Sequence, residues 1–274
     1  MNENENLELL CQILKSVSEQ MRGSLGNIHM ALGRLMPAED EATGSDDRTR
    51  SAEILSQSYH RLLRVIGNLS EATLLTREKP LPVWDTELVS WLEDLCGQAR
   101  PLMEEMGLTL IFRCEKTSHV AAVNTAYLER LFWNLLSNAI KFTAPGGMVT
   151  VELSVRGGQV LLSVSDTGCG ISQDRMATVY ERYLHPEQKD PQPYGLGLGL
   201  PLCRKIAELH GGRFLLTSRE GEGTTATVAL PDERLGNGAM EELSPDYYGG
   251  FQNIMVELSD ALPYRAFTRK NLDD

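Results

Sequence analysis

The sequence predicts an α+β chain: an N-terminal antiparallel helical hairpin, then a domain in which strands and helices mix. Two patterns predict it. Apolar residues recur at heptad spacing through the first seventy residues or so, and from about residue 128 helical stripes, an alternating strand and glycine loops follow one another. The expected boundaries are 1–80 for the hairpin domain, 81–232 for the mixed domain and 233–274 for a tail.

In the first helix Leu10, Leu14, Val17, Met21, Ser24, Ile28, Ala31 and Leu35 step by four and three, a seam of nearly four heptads. Around 37–49 the composition changes to Pro37, Gly44 and a cluster of Asp, Glu, Ser and Thr, which reads as a loop. A second helix repeats the stepping through Leu55, Tyr59, Leu62, Ile66 and Leu69 and stops before Pro80 and Pro82. One hairpin cannot bury both stripes. Two copies would form a four-helix bundle, so a homodimer is expected; packing of the hairpin on the following domain is the competing arrangement.

Three polar clusters interrupt the mixed domain. The first lies on a helix whose apolar stripe is Leu128, Leu131, Phe132, Leu135, Leu136 and Ile140. Asn134, Asn138 and Lys141 are four and three residues apart, so they share one face of it. An Asn carbonyl is a hard oxygen suited to Mg²⁺, which leans on substrate phosphates for its remaining ligands, and a Lys is a point charge for phosphate. The bland alternative is a solvated helix face, although Asn is a mediocre helix former. The second cluster, Asp166, Gly168, Gly170 and Ile171, ends the alternating strand 160–165. An acid there can accept a hydrogen bond from an exocyclic amine, and glycines permit close backbone approach; an ordinary turn is the alternative. The third cluster, Gly195, Gly197 and Gly199, leads into an amphipathic helix over 200–210 that Gly211 and Gly212 stop. Backbone amides of a glycine loop at a helix N-terminus form an anion site. Together and in this order the clusters describe a magnesium-nucleotide pocket.

The three clusters resemble the N, G1 and G2 boxes of the GHKL nucleotide-binding fold as found in sensor histidine kinases. Glu181, Arg182 and Tyr183 look like that family's lid motif, and Gly221, Gly223, Thr224 and Thr225 before Val228, Leu230 and Pro231 are similar to its last glycine box and closing strand. The match spans about 85–230. The resemblance implies an α/β sandwich of GHKL ATPase type that binds ATP and Mg²⁺. Asn138 would ligate the metal, and Asn134 and Lys141 would contact phosphates. Asp166 would read the adenine amine. Phe142, Gly168, Gly170, Ile171, Arg182, Gly195, Gly197, Gly199 and Thr224 would line the nucleotide site, with 172–194 as the lid.

The family also carries a phosphoacceptor on the first hairpin helix, within a box that usually reads Ser-His-Glu-Leu-Arg-Thr-Pro-Leu. Residues 18–25 resemble it: Ser18, Arg22 and Leu25 match. The acceptor position is Glu19 and the base position Gln20, while Gly23 and Ser24 replace the Thr and Pro. Glu19 falls between seam residues Val17 and Met21 and so points to solvent. A neutral imidazole takes a phosphoryl group near pH 7, whereas an ionised Glu (reference pKa near 4.3) meets the γ-phosphate with like charge. Gln20 has no proton to shuttle. His29 lies about ten residues further along, ~15 Å at helical rise. His60, His119, His185 and His210 each have an ordinary structural explanation. Three functions follow as expectations: ATP-dependent transfer to a response regulator or another kinase, a pseudokinase that responds to nucleotide as a dimeric binding module, or an ATPase without phosphotransfer.

Composition limits the remainder. A net charge of −12 argues against nucleic-acid or anionic-membrane binding. No apolar run approaches a membrane span, and five cysteines without metal spacing fit a reducing compartment, so the cytoplasm is expected. Cys169 is the one thiol expected near ligand, or else a filler at a tolerant loop position. In the tail, 232–250 is acidic and glycine-containing and reads as a linker, and 251–262 is apolar enough for a short docked helix or strand. Its role, whether for a partner or for its own domain, stays open at this point.

Overall fold

The computed structural model describes residues 25, 46–71, 74–75, 77–176, 179, 198–236, 253–268 and 271. They fall into two compact units, one of residues 1–76 with 245–274 and one of residues 77–244. Residues 18–24, and with them Glu19 and Gln20, lie outside the described residues.

The larger unit is built on a five-stranded sheet in the order β2-β4-β5-β7-β6, from strands β2 (Thr109–Cys114), β4 (Met148–Arg156), β5 (Gln159–Asp166), β6 (Arg213–Arg219) and β7 (Gly223–Pro231). β2 runs parallel to β4 and every other neighbour is antiparallel. Alternation puts one face of each strand inward. The register aligns those faces into rows: Val151 pairs with Val164 and Val164 with Ala226, and Leu153 pairs with Leu162 and Leu162 with Val228. On the other face Ser163 and Ser165 hydrogen-bond across to Thr227 and Thr225 at 2.9 and 3.0 Å, so the polar side of the sheet is also paired.

β1 (Trp84–Glu87) and β3 (Val120–Val123) form a separate two-stranded antiparallel sheet. Three helices complete the unit. For α2 (Leu88–Glu105) the buried positions Leu88, Leu92, Leu95, Ala99 and Leu102 recur at three and four residues, the signature of a one-sided core helix. α3 (Thr125–Phe142) buries Leu128, Leu131, Phe132, Leu135, Leu136 and Ile140, the whole stripe expected from spacing. Phe132 and Trp133 meet edge-on at 4.9 Å, and each large side chain buried here contributes roughly 1.5–3 kcal/mol. α4 (Gln173–Met176) is a single turn, and α5 (Gly199–Leu209) packs on α3 and β6.

Side chains at the helix starts lock these pieces together. Asn124 accepts from the Tyr127 amide at 3.2 Å as the cap of α3, while its own amide donates to His210 Nε2 at 3.0 Å. His210 is thereby fixed as the neutral ring whose Nδ1 donates to the Ile206 carbonyl at 2.7 Å, and burial holds its pKa below the usual imidazole value. A protonated His210 at the end of α5, which helix polarity alone favours, is therefore not what the fold selects. His119 is also structural, 2.8 Å from Asp232.

The smaller unit is described chiefly through α1 (Asp46–Glu71), α6 (Asn253–Glu257) and a 3₁₀ turn (Tyr264–Ala266). Its apolar cluster is Leu25, Tyr59, Leu63, Ile66 and Val256. The heptad reading of α1 divides here. Tyr59 and Ile66 are buried with Leu63, whereas Leu55 and Leu62 are 49% and 40% exposed. Among the described residues, Leu25 and the C-terminal segment cover the side of α1 that carries Tyr59, Leu63 and Ile66.

Glu87 gives the fold a measurable acid dependence. Its carboxylate caps α2, accepting from the Val89 and Ser90 amides at 3.3 and 2.7 Å, and also accepts the His119 amide at 2.7 Å. Burial alone would raise the carboxyl, but the hydrogen bonds from Ser90, His119 and Val89 together outweigh it and bring the pKa down to about 2. A carboxyl depressed on folding stabilises above its ordinary value and loses that contribution as pH falls through the depressed one. Between pH 5 and about 2 the urea midpoint of wild type should fall more steeply than that of Glu87→Gln, and parallel curves would refute this assignment.

Candidate nucleotide site

The candidate site lies wholly within the larger unit, where three chain segments converge on the end of β5. Asp166 is the last residue of that strand and pairs in register with Val149 on one side and Thr224 on the other. Its Oδ1 accepts the amides of Gly168 at 2.9 Å and Thr224 at 3.2 Å. Both bonds fall on one oxygen, which leaves Oδ2 as an acceptor. Burial raises the carboxyl above its usual range, and the two amides pull it back only in part.

The loop after Asp166 is pinned from two directions. The Cys169 amide donates to the Phe142 carbonyl at the end of α3 at 3.1 Å, and the Gly221 amide donates to the Cys169 carbonyl at 2.8 Å. The Ile171 amide donates to Ser218 Oγ at 2.8 Å, and Ser218 Oγ lies 2.9 Å from Thr224 Oγ1. Glycines make this packing possible. A Cβ on Gly168 would strike the Phe142 carbonyl oxygen and the Asp166 carboxylate, and one on Gly170, whose φ is +67°, would strike the Arg219 carbonyl. Gly223, at φ +109°, passes as closely over the Asp166 carbonyl. Cys169 is exposed in this loop.

The third segment also meets α3. Gly199 begins α5 directly over Asn134: a Cβ there would stand 3.3 Å from Asn134 Oδ1. Cys203 Sγ, one turn on, is 3.7 Å from the Leu131 carbonyl. Asn134 is buried, Asn138 and Lys141 are partly exposed, and Phe142 is 38% exposed, so the polar face of α3 opens progressively toward its C-terminus. Phe142, Asp166, Gly168, Gly170, Ile171 and Thr224 are thus linked through direct contacts or a shared neighbour, while Asn134 and Gly199 form a second contact pair on α3. Asn138 and Lys141 follow on the same helix face. Arg182, Gly195 and Gly197 lie outside the described residues.

Sequence reasoning missed Ser218, which ties the Asp166 loop to Thr224. Nothing in an alternating strand marks one serine as a crosslink, so no sequence signal could have found it. The donor set also bears on the metal. Among the described residues no group of three His, Cys, Asp or Glu side chains could hold a cation by itself. An Asn amide oxygen at 138 with Lys141 beside it suits an ion that takes most of its ligands from phosphate and water, as Mg²⁺ does.

Residues 124–234 match the family described as histidine kinase-, DNA gyrase B-, and HSP90-like ATPase. An uncharacterized sensor-like histidine kinase of Rhizobium meliloti is 31% identical over 232 residues, which are 82% of this chain and 43% of that protein. The adaptive-response sensory kinase SasA of Crocosphaera subtropica is 28% identical over 236 residues (84% and 61%), and the histidine protein kinase DivJ of Caulobacter vibrioides is 30% identical over 223 residues (80% and 37%). The chain therefore spans less than two thirds of each of these relatives. Among solved structures, full-length ShkA in complex with AMPPNP superposes with a TM-score of 0.62 at 23% identity, over 80% of this chain and 45% of that one. Histidine kinase ThkA in complex with the response regulator protein TrrA gives 0.56 at 18% identity, over 84% and 64%. These two likenesses concern the fold.

Proposed function

We infer from its membership of the sensor histidine kinase family, with a histidine kinase-, DNA gyrase B- and HSP90-like ATPase domain at residues 124–234, that this chain binds ATP with Mg²⁺ in two-component signalling and does not phosphorylate itself at the usual acceptor position. The observation that carries the reading is the Asp166 carboxylate, held on Oδ1 by two backbone amides with Oδ2 available to an exocyclic amine. Asn134, Asn138 and Lys141 supply the polar face for the phosphates, and Asn138 is the protein ligand to Mg²⁺. The metal, when bound, neutralises phosphate charge. Phe142, Gly168, Gly170, Ile171, Gly199 and Thr224 shape the walls together with Arg182, Gly195 and Gly197.

The limit on activity comes from chemistry at position 19. An ionised Glu repels the γ-phosphate, and Gln20 cannot relay a proton. The protein then acts as a nucleotide-responsive module, and its partner is a response regulator or a second kinase. The exposed Ile54, Leu55 and Leu62 on α1 support a homodimer, since a second copy would cover an apolar stripe that the described residues of one chain leave open. Sedimentation equilibrium should return twice the chain mass, and Leu55→Glu with Leu62→Glu should return the monomer; a monomeric wild type defeats this part of the reading. Among the described residues no helix is long and apolar enough to cross a membrane.

Calorimetric titration with ATP and Mg²⁺ tests the site. Asp166→Asn and Asn138→Ala should each weaken binding at least tenfold, about 1.4 kcal/mol or more, with the thermal midpoint preserved. In the same samples γ-labelled ATP should leave wild type unlabelled, whereas label that disappears in Glu19→Ala would make Glu19 an acceptor. Label on an added response regulator would identify a transferase acting on a partner, and phosphate release abolished by Asn138→Ala would identify an ATPase.

A further inference from the structure

The C-terminal segment returns to the helical unit after the whole nucleotide-binding domain has intervened, and it is held there by more than apolar cover. Met255, Val256, Leu258 and Phe267 are fully buried, with Val256 packed in the cluster of Leu25, Tyr59, Leu63 and Ile66. Around that anchor one side of α1 presents polar groups to specific atoms of the segment. Gln57 Nε2 donates to the Leu262 carbonyl at 2.5 Å, and Arg61 Nε donates to the Ser259 carbonyl at 3.2 Å. Arg64 Nε stands 3.8 Å from the Asp260 carboxylate, the His60 ring lies 5.3 Å from that of Phe267, and the Arg50 guanidinium lies 5.5 Å over Tyr264.

These contacts have a common logic. α6 and the turns after it end in carbonyls with no partner inside a helix, and the negative end of a helix favours a cation. Gln57 and Arg61 supply the missing donors, Arg61 and Arg64 supply positive charge, and the acidic side chain at 260 faces Arg64. Positions 50, 57, 60, 61 and 64 lie along one face of α1 by helical spacing. Recognition of backbone carbonyls is directional, so this face reads a particular helix–turn shape as well as hydrophobicity.

We propose that the α1 face bearing Gln57, His60, Arg61 and Arg64 is a docking surface for a helix–turn segment with an acid at the position of Asp260, and that residues 253–268 occupy it as a ligand in cis, closing it to other chains until they leave. This proposal is independent of the nucleotide reading. It assigns the tail to an intramolecular role: any other chain that uses this face must displace a tethered competitor, whose effective concentration is on the order of 1 mM.

The test uses the full chain with a specific protease site inserted within 239–250. After cleavage, a fluorescent synthetic peptide of residues 251–274 should exchange onto the protein, raising its anisotropy at micromolar concentrations. The uncut protein should take up at least tenfold less. Gln57→Ala with Arg61→Ala should weaken uptake by the cut protein at least tenfold while ATP binding stays unchanged. Equal uptake by cut and uncut protein, no uptake by cut protein, or full uptake by the double variant would overturn the proposal. If cleavage causes precipitation, hydrogen exchange on the intact chain decides. The double variant should lose protection together across 253–268 and 56–66, with the nucleotide-binding domain unaffected; unchanged protection would overturn the docking surface.

Discussion

The Asp166 carboxylate, gripped on one oxygen by the amides of Gly168 and Thr224, is the constraint around which the nucleotide-binding domain is arranged. It joins the end of β5 to the start of β7, and the glycine loop it anchors is in turn tied to the end of α3 through the Phe142 carbonyl. A carboxylate partly withdrawn from water costs free energy unless it is hydrogen-bonded. Two backbone amides on Oδ1 offset that cost in part. Burial holds its carboxyl above the usual range, and the two amides bring it back only in part.

From that anchor the remaining geometry follows. Gly168, Gly170 and Gly223 have no side chains because other backbone occupies the space. Gly199 passes close over Asn134, where a Cβ would stand 3.3 Å from Oδ1. The site thus depends on close backbone packing at one end of the sheet, while the inward-facing valines and leucines of β4, β5 and β7 keep that end rigid. Glu19, at the proposed phosphoacceptor position, belongs to a different part of the sequence, so the reading of the nucleotide site does not depend on it.

Much of this was legible in the sequence because local rules govern it. The α3 stripe, the β5 alternation and the helix opening at Gly199 each follow from periodicity and glycine placement, and the structure places them as expected. What escaped was long-range. Ser218 looks like any strand serine until β6 lies beside β7. Tyr59 and Leu62 are equivalent in a heptad register, yet among the described residues Tyr59 is buried in a cluster with Leu25 and Val256 while Leu62 is 40% exposed. Recognition of the Ser259 and Leu262 carbonyls by Arg61 and Gln57 spans about two hundred residues of sequence, and no local pattern encodes it.

The central claim is that Asp166 reads an exocyclic amine, and base discrimination tests it most directly. Binding of ATP and of inosine triphosphate should be compared by calorimetry at one magnesium concentration. Inosine carries a carbonyl where adenine carries the amine, so an acceptor would face an acceptor and leave the Asp166 oxygen unpaired. The account predicts binding of inosine triphosphate weaker by about a hundredfold or more, in line with sites built around one buried polar contact. Equal affinity for the two nucleotides would contradict it.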